Sequence, residues 1–128
     1  MQDILLKPEL RDIRSQNIKV VIPCCKSYEF ILLKDIVRCE GLQNYTKIFL
    51  TNGASIVSSQ TIGIYKTALE GYNFFNCHKS HLINNNHIIR YHKDGEVEML
   101  DASKIPVARR RKEAFFEQVI DFLSLNGK

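Results

Sequence analysis

At 128 residues, 45% of them hydrophobic and 25% charged, the chain is long enough for one domain with a real core and has the composition of a globular protein. No apolar run approaches the length of a bilayer crossing, and the opening "MQDILLKPELRD" has charges where a secretory leader needs an apolar stretch, so a cytoplasmic protein with no membrane role is expected. The formal charge of +4 points only weakly to an anionic partner, but it is unevenly spread: no acid lies between Gly71 and Lys93, and five basic residues with no acid lie between Lys104 and Lys112.

In chain order, residues 1–17 mix charges with one proline and read as a lead or linker, in which Ile4, Leu5, Leu6 and Leu10 could dock as a short helix. From Ile18 to the end a single domain is expected. "IKVVIP" and "YEFILL" are rich in β-branched and aromatic residues and predict two strands joined by a turn at "CCKS". "DIVRCEG" and "YTKIFLTNG" continue the pattern, and Asn52-Gly53 signals a tight hairpin into "ASIVSSQ". Ile62, Tyr65 and Leu69 then fall at helical spacing, with Thr61 placed to cap the start and Gly71 to end a short helix. "FFNCH", "HIIRYH", "GEVEML" and "KIPVA" read as further strands. The chain closes on a helix whose Phe115, Phe116, Val119, Ile120 and Leu123 form one stripe.

Chemistry concentrates in "NFFNCHKSHLINNNHII". Cys77, His78 and His81 invite a metal, but no C-x-x-C pair accompanies them, and on a strand His78 and His81 point to opposite faces. Neither a metal nor a cofactor is expected. Cys77 beside His78 is the best nucleophile and base pair, yet strand neighbours face apart, and no Walker, G-x-G-x-x-G or H-E-x-x-H motif is present, so no catalytic residues are assigned. The four cysteines, Cys24, Cys25, Cys39 and Cys77, suit a reduced compartment, while redox control through Cys77 stays open.

Arg109, Arg110, Arg111 and Lys112 stand at the start of the last helix, where the macrodipole disfavours cations by several tenths of a kcal/mol each. They read either as a solvated charge run or as a site where cations and helix terminus receive phosphate together. Lys79, Ser80 and Asn84 to Asn86 can reach phosphates or base edges, and Asn44, Tyr45 and Lys47 lie in a second hydrogen-bonding loop. A protein module with a basic face for an acidic partner is the main rival. Single-stranded RNA binding is weaker, since no aromatic stacking pair stands out in a strand.

"DIVRCEGLQNYTKIFLTNG", the helix "TIGIYKTALEG", "FFNCHKSHLINNNHI" and "KIPVARRRKEAF", in that order, resemble the LytTR DNA-binding domain, the output module of LytR/AlgR-class bacterial response regulators. The resemblance covers about Ile18 to Val119. His78, Lys79, Ser80, Asn84, Pro106 and Val107 match its pattern, whereas Asn76, Cys77 and Ala108 depart from it. It implies a mainly β fold of about ten antiparallel strands in small packed sheets, with one short internal helix and a C-terminal helix. It also implies sequence-specific binding of double-stranded promoter DNA by loops entering adjacent major grooves. The implied base contacts come from Asn44 to Lys47, from Lys79, and from Arg109 and Arg110. With this, Lys47, Arg111 and Lys112 are expected to hold phosphates, Lys79 and Arg110 to reach base edges, and His78, Ser80 and Asn84 to brace the loop. The chain reads as a fragment of a longer regulator. A receiver domain in the parent protein and a dimer on paired DNA repeats both remain open.

Overall fold

The computed structural model describes residues 17–124, so the expectations placed on the lead, docking by Ile4, Leu5, Leu6 and Leu10 included, lie outside the described residues apart from Asn17. The strands are β1 (Lys19–Pro23), β2 (Tyr28–Leu32), β3 (Ile36–Leu42), β4 (Tyr45–Leu50), β5 (Ser55–Ser58), β6 (Phe74–His78), β7 (His81–Asn84), β8 (Ile88–His92), β9 (Glu96–Met99) and β10 (Lys104–Pro106). Helix α1 (Ile62–Ala68) separates β5 from β6, and α2 starts at Lys112–Phe115 and widens into a π-helical Phe116–Asp121.

Every pairing is antiparallel. The strands make three sheets: β1-β2, β10-β9-β8, and a central five-stranded sheet in the order β5-β4-β3-β7-β6. The mainly β fold expected from the sequence is therefore the one found.

The central sheet is buried from both sides. One core gathers Ile22, Leu33, Ile36, Cys39, Ile48, Tyr65, Leu69 and Leu82 beneath β1-β2 and α1. The other gathers Val37, Phe75, Cys77, Ile83, Val97, Met99, Ile105, Phe115 and Val119 beneath β8 to β10 and α2. Strand alternation assigns the residues to their sides, as when neighbours Leu82 and Ile83 enter different cores. A register slip between Ile36 and Arg38 lets Ile36 and Cys39 share one core while Val37 enters the other.

Four local expectations differ in detail. The hairpin at Asn52-Gly53 is a four-residue loop, in which the Asn52 side chain accepts from the Ala54 N–H at 2.8 Å and Gly53 takes φ of +89°. Thr61 precedes α1 but makes no side-chain cap, so the helix is held by Tyr65 and Leu69 rather than by its end. "HLIN" is a strand the sequence does not announce, because a strand buried on both faces places apolar residues side by side and loses its alternation. The last helix buries Phe115 and Val119 but leaves Phe116 and Leu123 exposed, since the wide turn of the π segment breaks the 3.6-residue stripe.

Burial settles the reading of the thiols. Cys39 and Cys77 are inaccessible, and burial pushes both pKa values up to about 12, so both stay protonated near neutrality. Redox control through Cys77 is not favoured by a buried, protonated thiol. In native protein a thiol-specific chromophoric reagent should label exposed Cys25 quickly, whereas Cys39 and Cys77 should react only at the rate of unfolding. Fast labelling of all four cysteines would contradict the packing described here.

Candidate nucleic-acid interface

The antiparallel pairing of β6 with β7 leaves Lys79 and Ser80 as a two-residue turn between the facing pair His78 and His81. This corrects the expectation that the two histidines point apart. Because a turn lies between them, they share one face, and their rings approach to 5.2 Å between centroids. The His78 Nδ1 accepts the Ser80 N–H at 3.0 Å, which requires the proton on the other ring nitrogen and fixes the turn from inside. Among the described residues no group of three or more potential ligands is arranged to hold a metal.

Three parts of the chain are fastened, by main-chain carbonyls, to this turn or to the strand β6 that leads into it. At the end of β3, Gly41 donates its N–H to Ser80 O at 2.9 Å. From α1, the Lys66 ammonium donates to His78 O at 2.8 Å and to Lys79 O at 3.0 Å. From the basic segment, Ala108 N–H meets Cys77 O at 2.8 Å and Arg111 Nε meets Asn76 O at 2.8 Å, with the Arg111 guanidinium 4.9 Å from the centre of the Phe75 ring. The loop at Asn44, the turn at Lys79 and the segment at Arg109 are thus parts of one braced region.

Register defines the face they share. His78 pairs with His81, His81 with Glu40, Glu40 with Lys47, and Lys47 with Val57, giving a row across five strands on one side of the sheet. Two pairs beyond Glu40 and Lys47, and so on the same face, Leu42 faces Tyr45 across the two-residue turn Gln43-Asn44, whose Gln43 has φ of +60°. Lys79, Asn44, Tyr45, Arg109 and Arg110 are exposed, while Lys47, Arg111 and Lys112 are half-buried.

A family model for the LytTr DNA-binding domain matches residues 26–120. The chain belongs to the LytTR DNA-binding domain family. Among solved structures, it is similar to the LytTr DNA-binding domain of a Bacillus cereus protein described as a methyl-accepting/DNA response regulator. That likeness has a TM-score of 0.67 at 16% identity and covers 80% of this chain and 95% of the other, and it concerns the fold. A search of curated proteins found no match.

Within this LytTR domain the residues singled out from sequence fall into two groups. Exposed Lys79, Arg109, Arg110, Asn44 and Tyr45 are free to meet a partner, whereas Arg111 is engaged with Asn76 O and Phe75, and the Lys112 ammonium lies over Gly95 in the β8-β9 turn. His78 and Ser80 brace the turn through ring and main chain. Asn84 braces the opposite end of β7: buried, it donates to Ile36 O at 2.9 Å and accepts from the Asn86 N–H at 3.0 Å. The departures from the family pattern at Asn76 and Cys77 fall where the main chain forms the link, so the change of side chain leaves that link in place.

Lys66 is the member of this braced region that sequence reasoning missed. Burial lowers its pKa, and the charge of Arg111 adds to that effect. Its only sequence signal is its place on α1 beside the buried Tyr65, which does not say what lies opposite. Lys66→Met keeps the aliphatic stem but leaves two carbonyls without their cation. A loss of about 1–3 kcal/mol in urea denaturation is expected, and an unchanged midpoint would show that the clamp does not form in solution.

The His81 pKa is lowered from 6.5, by burial first and by the positive charges and His78 around it, against the opposing pull of Glu40. A folded-state pKa below the unfolded one means that the unfolded chain binds the proton more readily. The stability tied to neutral His81 is therefore complete above about pH 6.5 and lost as pH falls below it. Between pH 7.5 and 5, His81→Gln should lose less stability than the parent protein, and parallel pH curves for the two would contradict the assignment.

Proposed function

We propose that this LytTR domain is the cytoplasmic, sequence-reading output part of a bacterial two-component response regulator, binding double-stranded promoter DNA through loops that enter adjacent major grooves. The observation that supports this best is the fastening of the end of β3, helix α1 and the basic segment to β6 and the turn that follows it, which gives the exposed side chains near Asn44, Lys79 and Arg109 a fixed relative placement. Fixed placement is what base reading needs, because a bidentate contact tolerates little error in position.

In this reading Lys79 and Arg110 reach base edges, with guanine the preferred partner of either cation, and Arg109 contributes from beside them. Asn44 and Tyr45 supply the contacts of the β3-β4 loop. Lys47 and Lys112 hold phosphates, and Arg111 combines a phosphate contact with its tie to β6. Since two neighbouring grooves must be met together, some bending of the DNA accompanies binding. A receiver domain elsewhere in the parent protein and a pair of domains on repeated sites complete the proposal. The described residues contain no helix long and apolar enough to cross a membrane.

Anisotropy titrations on a duplex selected from a random library should show binding well above a scrambled control and a steep negative dependence on salt. Arg110→Ala should cost about 1–3 kcal/mol on the selected duplex and relax its preference, whereas Lys112→Ala should weaken all duplexes alike and reduce the salt slope by about one. Equal losses on selected and scrambled DNA for Arg110→Ala would remove it from the base readers. Absence of any enriched sequence would leave the basic region to an acidic protein partner.

A further inference from the structure

The outermost pair of the β3-β4 hairpin is apolar and exposed, next to the polar side chains of Glu40 and Lys47 on the same face. Leu42 and Tyr45 face each other across the Gln43-Asn44 turn, with relative exposures of 41% and 54%, and neither belongs to a core cluster. Their side chains share the sheet face that carries Lys47, Glu40, His81 and His78. The strand beneath them is held firmly. Gly41 donates to Ser80 O, and a Cβ at Gly41 would stand 3.0 Å from Ile62 Cγ2, so this end of β3 rests directly on α1.

An apolar cross-strand pair kept on a rigid, exposed tip contributes only a small increment to the sheet, and it gains nothing from phosphate. Its neighbours include exposed Lys79, on the turn to which β3 is bonded, which argues for an anionic partner with a local apolar feature. The major groove offers one such feature, the C5-methyl group of thymine. We infer that Leu42, backed by the Tyr45 ring, reads thymine methyl groups, making it a specificity-determining residue of the interface. This rests on the DNA-reading function proposed above and adds to it the kind of base edge that the β3-β4 loop prefers.

The experiment replaces thymidine by deoxyuridine, one position at a time, in the duplex recovered by selection, so that a single methyl group is removed and every hydrogen-bonding group kept. The full chain should lose about threefold to fivefold in affinity at one or two positions, the loss that follows from exposing roughly one methyl group. Leu42→Ala should be indifferent at those positions, and Leu42→Met, which keeps an apolar tip, should restore the sensitivity, with melting curves for both variants confirming the fold. Indifference of the parent protein at every thymine, or full sensitivity in Leu42→Ala, overturns the inference while leaving sequence-specific binding intact. Failure of the selection to enrich any sequence overturns the DNA-reading proposal and this inference with it.

Discussion

The carbonyls from Asn76 to Ser80, along the end of β6 and its turn into β7, are the constraint on which the rest of the interface depends. Main-chain acceptors withdrawn from water must find donors, and here Ser80 O takes one from β3, His78 O and Lys79 O take theirs from α1, and Asn76 O and Cys77 O take theirs from the segment that leads into α2. Each bond taken alone is worth only about 1 kcal/mol net. Their joint effect is geometric, since the end of β3, helix α1 and the basic segment, distant in sequence, can no longer move independently of β6 and its turn.

The same arrangement explains how so many cations can be gathered at small expense to the fold. Lys66 is turned inward onto two carbonyls, and Arg111 is spread over the Phe75 ring while donating to Asn76 O, so two of the positive charges are matched by main-chain dipoles and an aromatic face. Arg109 and Arg110 remain in solvent, where repulsion is screened within about 8 Å at physiological salt. The acid on this face, Glu40, is drawn toward Arg38, which in turn bonds Asp101 at 3.1 Å and lies over Phe49. Charge is thus sorted laterally: acids are drawn toward Arg38 and the β9-β10 loop, and unpaired cations toward the turns.

Much of the architecture was legible because most strands are half-buried and therefore alternate, as β4 does with Thr46, Ile48 and Leu50 inward and Tyr45, Lys47 and Phe49 turned the other way. The candidate site residues that the sequence offered were those in polar loops between clear strands, such as Asn44 and Lys79, and both are exposed. What escaped was set by tertiary contact. β7 is an interior strand of a sheet covered on both faces, so its Leu82 and Ile83 serve opposite cores and give no period. His78 and His81 face together because the chain reverses between them, which spacing alone does not reveal. Lys66 could not be recognised until the helix bearing it was placed over the turn, and Asn84, which fits the family pattern, braces a different junction from the one expected.

Rigidity of the frame and freedom of the tips are complementary parts of one design. A long cation that is already confined near its target loses less on binding than one carried by a mobile loop, since ordering a rotamer-rich side chain costs about 0.5–1.5 kcal/mol. In this domain the confinement is applied to the backbone, by β3, α1 and the Ala108 to Arg111 segment, while the side chains of Lys79, Arg109 and Arg110 stay extended into solvent. A frame of this kind can keep its main-chain links while side chains at the tips differ between members of the family. Asn76 and Cys77 lie within β6 itself and are joined to the basic segment through their carbonyls, so these links of the frame do not depend on which side chain stands there.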